Sequence, residues 1–266
     1  MLLTSVVFVL REVLEAALLI SLLTALSKRL GISSRWVIVA LVAGLFGAAI
    51  YGFNIDLVSE WFEGVGQEVV NAGLQIAIYI VLCMVAVLSV RRRQGRAASD
   101  ELISLLMAAS VALAIVREGS EIMIYLSGFL QVTDMLLPVL AGSFIGAGIG
   151  MSAGAVFYYA LLSLGRRAAV ITGGVLLSLV AAGMGSQATT LLIQADWLPS
   201  QYPAWDSSWL ITEQSVSGQV LYALIGYEAT PTPLQLFVHI SAFVFIVAVA
   251  AVAGRRGSDS AGSDHV

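Results

Sequence analysis

Seven long apolar runs, each bounded by turn-forming or charged residues, occupy most of the chain, at about 4–26, 36–53, 67–90, 102–130, 135–164, 168–192 and 234–253. A bilayer crossing needs about 20 apolar residues in a helix. One soluble core could not absorb seven such runs, because only 11% of the 266 residues are charged, against about 25% in an ordinary soluble domain. Hydrophobic residues make up 59% of the chain, and the mean hydropathy is +0.94. The sequence therefore predicts an all-α integral membrane protein of seven transmembrane helices. It forms a single transmembrane domain over 1–254, with an outer loop at 193–233, a last helix at 234–253 and a short polar tail at 255–266. The first run starts almost at Met1, lacks a basic leader and contains charges, so it reads as a retained helix rather than a cleaved signal.

The basic residues orient these spans. Eleven of the 13 Lys and Arg residues fall in four stretches: Lys28, Arg29 and Arg35; Arg91, Arg92, Arg93 and Arg96; Arg166 and Arg167; Arg255 and Arg256. With seven spans all four stretches share one side, and the positive-inside rule makes that side cytoplasmic and the N-terminus external. The three outer connections hold no Lys or Arg but nine acids, among them Glu63, Glu68, Asp206, Glu213 and Glu228. Such a surface either draws cations to a pore mouth or is simply solvated. The five tryptophans lie at or beyond span ends, where interfacial anchoring is expected. In the long outer loop, Asp206 could cap a short helix through Tyr222 that buries Trp209, Val216 and Val220. A net charge of −4 argues against nucleic-acid binding. One cysteine, Cys83, and two histidines, His239 and His265, exclude an intramolecular disulfide and a Cys- or His-built metal cluster.

Two arginines and four glutamates remain, all inside spans. Arg11-Glu12-Val13-Leu14-Glu15 lies in the first and Arg117-Glu118-Gly119-Ser120-Glu121 in the fourth. Each charge would cost a few kcal/mol facing lipid, so the six must face the bundle interior. The i, i+3 spacing sets Glu12 with Glu15, and Glu118 with Glu121, on one helix face; i, i+4 spacing lets Arg11 reach Glu15 and Arg117 reach Glu121. Each arginine could equally hold a carboxylate of the other motif. Four carboxylates against two guanidiniums leave −2, which calls for a cation or protons rather than balanced structural pairing. Carboxylate oxygens suit hard ions such as Mg²⁺, Mn²⁺ or iron. Asn71 and Gln75 in the third span and Gln187 in the sixth either line a polar pathway or bond between helices, while Glu63 and Glu68 could pre-bind ions at the entrance.

The motifs are separated by three crossings, so their helices run in opposite directions. Small residues follow each in matched order: Ala40, Gly44, Ala48 and Gly52 in the second span, Gly142, Gly146, Gly150 and Gly154 in the fifth. The pattern predicts a 3+3 inverted repeat plus one helix, repeat one at about 4–90 and repeat two at about 102–192, with the site between them. An intramembrane enzyme is the contrasting class. His-Glu-x-x-His is absent, leaving only His239 with Ser241 or Ser186 as a catalytic pair. A structural subunit that carries no ion is a third reading.

The paired Arg-Glu-x-x-Glu motifs resemble the hallmark of the iron permease family, the oxidase-coupled fungal permeases and the bacterial ferrous iron uptake permease. Gly226-Tyr227-Glu228-Ala229-Thr230-Pro231 is similar to the family's Gly-Tyr-x-x-x-Pro signature. The resemblance implies a metal-ion permease, not an enzyme, that imports iron as Fe²⁺ or Fe³⁺ across the bacterial cytoplasmic membrane. No prosthetic group is implied; the partners are lipid, the iron ion and an external oxidase or periplasmic iron-delivery proteins, and a homo-oligomer is compatible with it. By the same resemblance Glu12, Glu15, Glu118 and Glu121 bind the ion and Arg11 and Arg117 support them, with Tyr227 and Glu228 near the pathway. Val13 replaces the family's glycine and Ser120 its leucine, which leaves another heavy metal, or proton-coupled cation transport, as the alternative.

Overall fold

The long apolar runs become long helices because nothing within them breaks the helical ladder until a glycine, proline or polar turn intervenes. A computed structural model describes residues 1–95, 99–130 and 132–255. Arg96, Arg256, His265 and the rest of the polar tail lie outside the described residues. In chain order the helices are α1 (Leu2–Leu30), α2 (Trp36–Phe53), α3 (Ile55–Ser59), a 3₁₀ turn (Trp61–Gly64), α4 (Gly66–Arg93), α5 (Asp100–Ser127), α6 (Thr133–Ser163), α7 (Arg166–Gln194), α8 (Val216–Ile225) and α9 (Pro233–Arg255). Gly31 ends α1 at φ 72° and Gly226 ends α8 at φ 65°, left-handed conformations that glycine adopts without penalty. Among the described residues there is no strand.

Six helices, α2, α4, α5, α6, α7 and α9, are long and apolar enough to cross a membrane, which makes this an integral membrane protein. Their outward faces carry large exposed apolar side chains such as Phe46, Phe144 and Phe237, as contact with lipid requires. The helix α1 is just as long, at 29 residues, but the Arg11–Glu15 cluster and the Lys28-Arg29 pair leave no stretch of it equally free of charge. It is instead the most enclosed helix, with Leu14, Leu18, Leu19, Leu22 and Leu23 all buried.

Helix pairing follows the small-residue stripes. The helix α1 runs along α6 and α2 along α5, while α4 packs against α7. A Cβ on Gly142 would lie 2.5 Å from the Leu2 carbonyl oxygen, and one on Gly154 2.7 Å from Ala17 Cβ. On the other side, a Cβ on Gly44 would sit 2.7 Å from Ile115 Cβ and one on Gly52 3.0 Å from Met123 Sδ. The third motif position joins the same scheme: Gly119 lies under Ala48, whereas Val13 lies over Gly150, whose missing side chain makes room for it. Close backbone approach of this kind supplies the van der Waals contact that holds membrane helices together.

The two ends of the bundle differ. At the basic end Arg29 donates to the Leu162 and Leu164 carbonyls (2.9 and 2.7 Å), capping α6 with positive charge, and Arg92 pairs with Asp100. Towards this end α1, α4, α5 and α7 fill the centre with Leu19, Leu23, Leu82, Met107 and Val180. At the other end the loops and α8 surround polar space. Two expectations are corrected here. Trp36 is no interfacial anchor: it is 5% exposed, and its indole N–H donates to Ser27 Oγ at 3.1 Å. The outer-loop helix begins at Ser215, whose hydroxyl caps Gly218 N–H, while Asp206 only closes a local turn on Ser208. Trp209 and Val216 are exposed; that helix buries Gln219 and Ala223, and Ala223 packs with the expected Val220 against Leu14 and Leu18 of α1.

Candidate metal-ion site

Both charged motifs sit on one-sided helix faces, and the close α1–α6 and α2–α5 pairings turn those faces toward each other. Glu12, Glu15 and Glu118 bring carboxylate oxygens within 4.8 Å of one another, and all three are buried. Glu121 stands at the rim, with its side chain 18% exposed. At an effective dielectric constant of 20, two unit charges about 4 Å apart repel by about 4 kcal/mol. The cluster therefore needs positive charge.

The arginines supply part of it, and they do so across the interface. Arg11 pairs with Glu12 at 2.6 Å and reaches Glu121 of the other motif at 3.9 Å. Arg117 pairs with Glu118 at 2.5 Å and reaches Glu15 of the other motif at 3.4 Å, with Glu121 at 3.5 Å. The expected Arg117–Glu121 pair along one helix forms. Its counterpart does not: Arg11 turns to its neighbour Glu12, and Glu15 is taken by Arg117. Even so, Glu12 Oε2 and Glu118 Oε2 are buried with no hydrogen-bond partner. Two bare carboxylate oxygens in one enclosed cluster are what a hard cation or a proton would satisfy.

The three amides gather at the same place. Gln75 and Gln187 meet between α4 and α7 at 2.5 Å, and Gln187 also contacts Arg117 and Glu15 at 3.4 Å. With its oxygen turned to the guanidinium, Gln75 accepts from Arg117 Nε at 3.0 Å and Nη1 at 2.8 Å. Asn71 accepts from the Tyr51 hydroxyl at 3.2 Å. Ser120 sends its hydroxyl back to the Arg117 carbonyl at 2.7 Å, so it offers the cluster nothing.

A cavity of about 480 Å³ opens above the carboxylates, lined by Arg11, Arg117, Glu121, Glu68, Asn71 and Gln187. Its walls also include Phe8, Tyr125, Thr190 and Tyr222, which no motif or charge pattern marked. Glu63 lies on the 3₁₀ turn at φ 67° and lines neither this cavity nor the neighbouring one of about 940 Å³. Tyr227 is also away from both: its hydroxyl donates to the Ile211 carbonyl at 3.0 Å and meets Ser207, tying the outer loop together. Glu228 lines the larger cavity, where burial and the nearby Glu213 carboxylate push it up to about 7. His239 does not form a catalytic pair with Ser241, whose hydroxyl donates to the Phe237 and Val238 carbonyls.

Residues 2–255 match the model of the iron permease FTR1 family. The ferrous iron permease EfeU of Shigella sonnei and that of Escherichia coli O157:H7 are each 25% identical to this chain over 270 residues, covering 95% of it and 97% of their own length. The ferrous iron permease EfeU of Escherichia coli O6:K15:H31 is 25% identical over 253 residues, 90% of each chain. No solved structure matches. Buried carboxylates in an apolar helical bundle and a match over nearly the whole length lead to one conclusion: the chain belongs to the iron permease FTR1 family, whose members are transporters and not enzymes.

Proposed function

We propose that this protein imports iron across the cytoplasmic membrane of a bacterium, the ion passing through the Glu12, Glu15, Glu118 and Glu121 cluster. The observation that carries the reading is the buried trio of carboxylates within 4.8 Å, two of them with an orphaned oxygen. Iron is the substrate, and no prosthetic group is needed. In this reading α1 is the seventh span, the N-terminus is outside and the basic end is cytoplasmic. The cavity over the carboxylates then opens outward, and the apolar packing of Leu19, Leu23, Leu82 and Met107 closes the way in.

The 3+3 inverted repeat accounts for transport by alternating access. It is supported by contacts that recur with the helices exchanged: Gly44 on the Ala112 carbonyl and Gly146 on the Val6 carbonyl, Ala48 on Gly119 and Gly150 on Val13, Gly52 on Met123 and Gly154 on Ala17. The crossed ion pairs obey the same exchange. An arriving ion displaces the guanidiniums from the carboxylates, and Gln75 and Gln187 stand ready to hold the released Arg117. The site then passes inward as the halves rock and the apolar plug parts. An external oxidase or periplasmic delivery protein would present iron to the acidic outer loops.

All the candidate ligands are hard oxygen donors, which accept either oxidation state; the relatives named as ferrous permeases favour Fe²⁺. Purified protein in liposomes, given labelled Fe²⁺ or Fe³⁺ with and without a pH gradient, tests this. Inward flux of Fe²⁺ above that of protein-free vesicles is expected, and flux of neither ion would overturn the proposal.

A further inference from the structure

A narrow crevice lies at the basic end of the bundle, between α1, α4, α6 and the start of α7. The helices α6 and α7 hardly touch although they follow each other in the chain. Ala169 and Gly173, one turn apart on α7, line the gap, and a Cβ on Gly173 would meet no atom within 4 Å. The floor is the buried Leu22, Ala25 and Leu161. Beside the crevice on α7, Val170 and Ile171 are exposed apolar side chains, as on the lipid-facing surfaces of the other helices. Two exposed arginines, Arg29 of α1 and Arg93 of α4, stand at its mouth.

The basic residues of this end are not equivalent. Arg92 is satisfied by Asp100 Oδ2 at 2.9 Å and the Leu30 carbonyl at 3.3 Å. Arg29 uses one nitrogen, Nη2, for the carbonyls of Leu161, Leu162 and Leu164 at 3.3, 2.9 and 2.7 Å, and its Nε and Nη1 have no partner among the described residues. Arg93 has no partner at all among the described residues. The positive-inside rule accounts for arginines at this end, but not for an unpaired guanidinium over an open apolar slot. That combination fits a molecule with an anionic head and an apolar body. The enclosed space is about 20 Å³, room for about one water-sized group. It is too small for a bulky free solute, whereas a lipid needs to insert only phosphate oxygens there and keeps its chains in the bilayer. We infer that the crevice binds one anionic phospholipid, its phosphate held between Arg93 and Arg29 and an acyl chain lying beside Ala169 and Gly173. Guanidinium donors suit phosphate oxygens in charge and geometry. The inference is independent of the iron pathway and needs only that the basic end meet a membrane surface.

Native mass spectrometry of the full-length protein in detergent, titrated with phosphatidylglycerol or phosphatidylcholine of identical chains, tests it. The wild type should bind one phosphatidylglycerol about fivefold or more tighter than phosphatidylcholine, the effect of about one arginine on an anionic headgroup. Arg93→Gln removes the charge, and Gly173→Leu fills the slot with the charge intact; each should abolish the preference. Arg91→Gln, which removes an exposed arginine lining none of the three cavities, should keep it. Because the ratio compares two lipids on one variant, a change in stability does not move it. Glycerol phosphate, an anionic head without chains, should not displace the bound lipid. Wild-type preference in both Arg93→Gln and Gly173→Leu would overturn the site, and equal losses in Arg91→Gln and Arg93→Gln would replace it with diffuse surface charge. Displacement by glycerol phosphate would make it a site for free anions and overturn the assignment to lipid.

Discussion

The two charged motifs contain the same residues in the same order, yet the bundle uses their arginines differently. Arg117 has its side chain 8% exposed and is gripped by Glu118, Glu15, Glu121 and the amides of Gln75 and Gln187. Arg11 has its side chain 43% exposed, holds Glu12 closely and Glu121 loosely, and stands where the two cavities adjoin. The asymmetry comes from what packs behind each motif. The amides of α4 and α7 close over Arg117, whereas α8, entering from the outer loop, leaves polar space around Arg11. The same motif therefore presents one enclosed guanidinium held on every side and one that borders open polar space.

The sharpest way to break that distinction is to remove each arginine. Arg117→Met strands buried carboxylates, and breaking such a pair costs about 3–5 kcal/mol, so the purified protein should lose much of its thermal stability. Arg11→Met also strips buried Glu12 of its cationic partner, but Arg11 borders open polar space and holds fewer groups, so it should cost less than Arg117→Met while altering iron flux. Equal melting losses in detergent would abolish the contrast. Next in size is Gln75→Leu, which takes an acceptor from Arg117 and should destabilise by about 1–3 kcal/mol; no change would mean that the amide does not steady the guanidinium. Smaller again is Val13→Gly, restoring the residue the first motif lacks. It should cost about 1 kcal/mol through lost helix propensity and lost contact with Gly150.

The smallest effect belongs to the outer cavity and is read through pH. Glu228 is raised in the folded protein from 4.5 to about 7. Its protonated form is the one the fold favours, so its contribution is present below about 4.5 and is lost as pH rises through 7. The neutral Glu228→Gln variant should melt with the wild type at pH 5 and slightly above it at pH 8. A gap of the opposite sign, or one independent of pH, would show that Glu228 is not held in this way.

Much of this was legible in the sequence. The second apolar run coincides with α2 at both ends, and the other runs differ from their helices by a few residues, because helical periodicity and chain breakers are local. The meeting of the two motifs was equally readable, since charges that cannot face lipid have nowhere else to go. The crossed pairing was not. Whether Arg11 takes Glu15 of its own helix or Glu121 of another depends on side-chain directions set by the α1–α5 interface. The amphipathic reading of the outer loop misplaced Trp209 and Val216 for a related reason. In a bundle wrapped by lipid an exposed apolar residue carries no penalty, so hydrophobicity there does not tell inside from outside. Tyr222 and Thr190 went unmarked because residues that merely border a cavity need no charge and no motif.

The central claim is that iron crosses through the buried carboxylates, and labelled Fe²⁺ uptake by liposomes holding Glu12→Gln or Glu118→Gln tests it most directly. Each change removes one charge and keeps the shape, so the variants should insert and fold as the wild type does. The account predicts uptake indistinguishable from protein-free vesicles for both. Uptake at the wild-type rate by either properly inserted variant would contradict it.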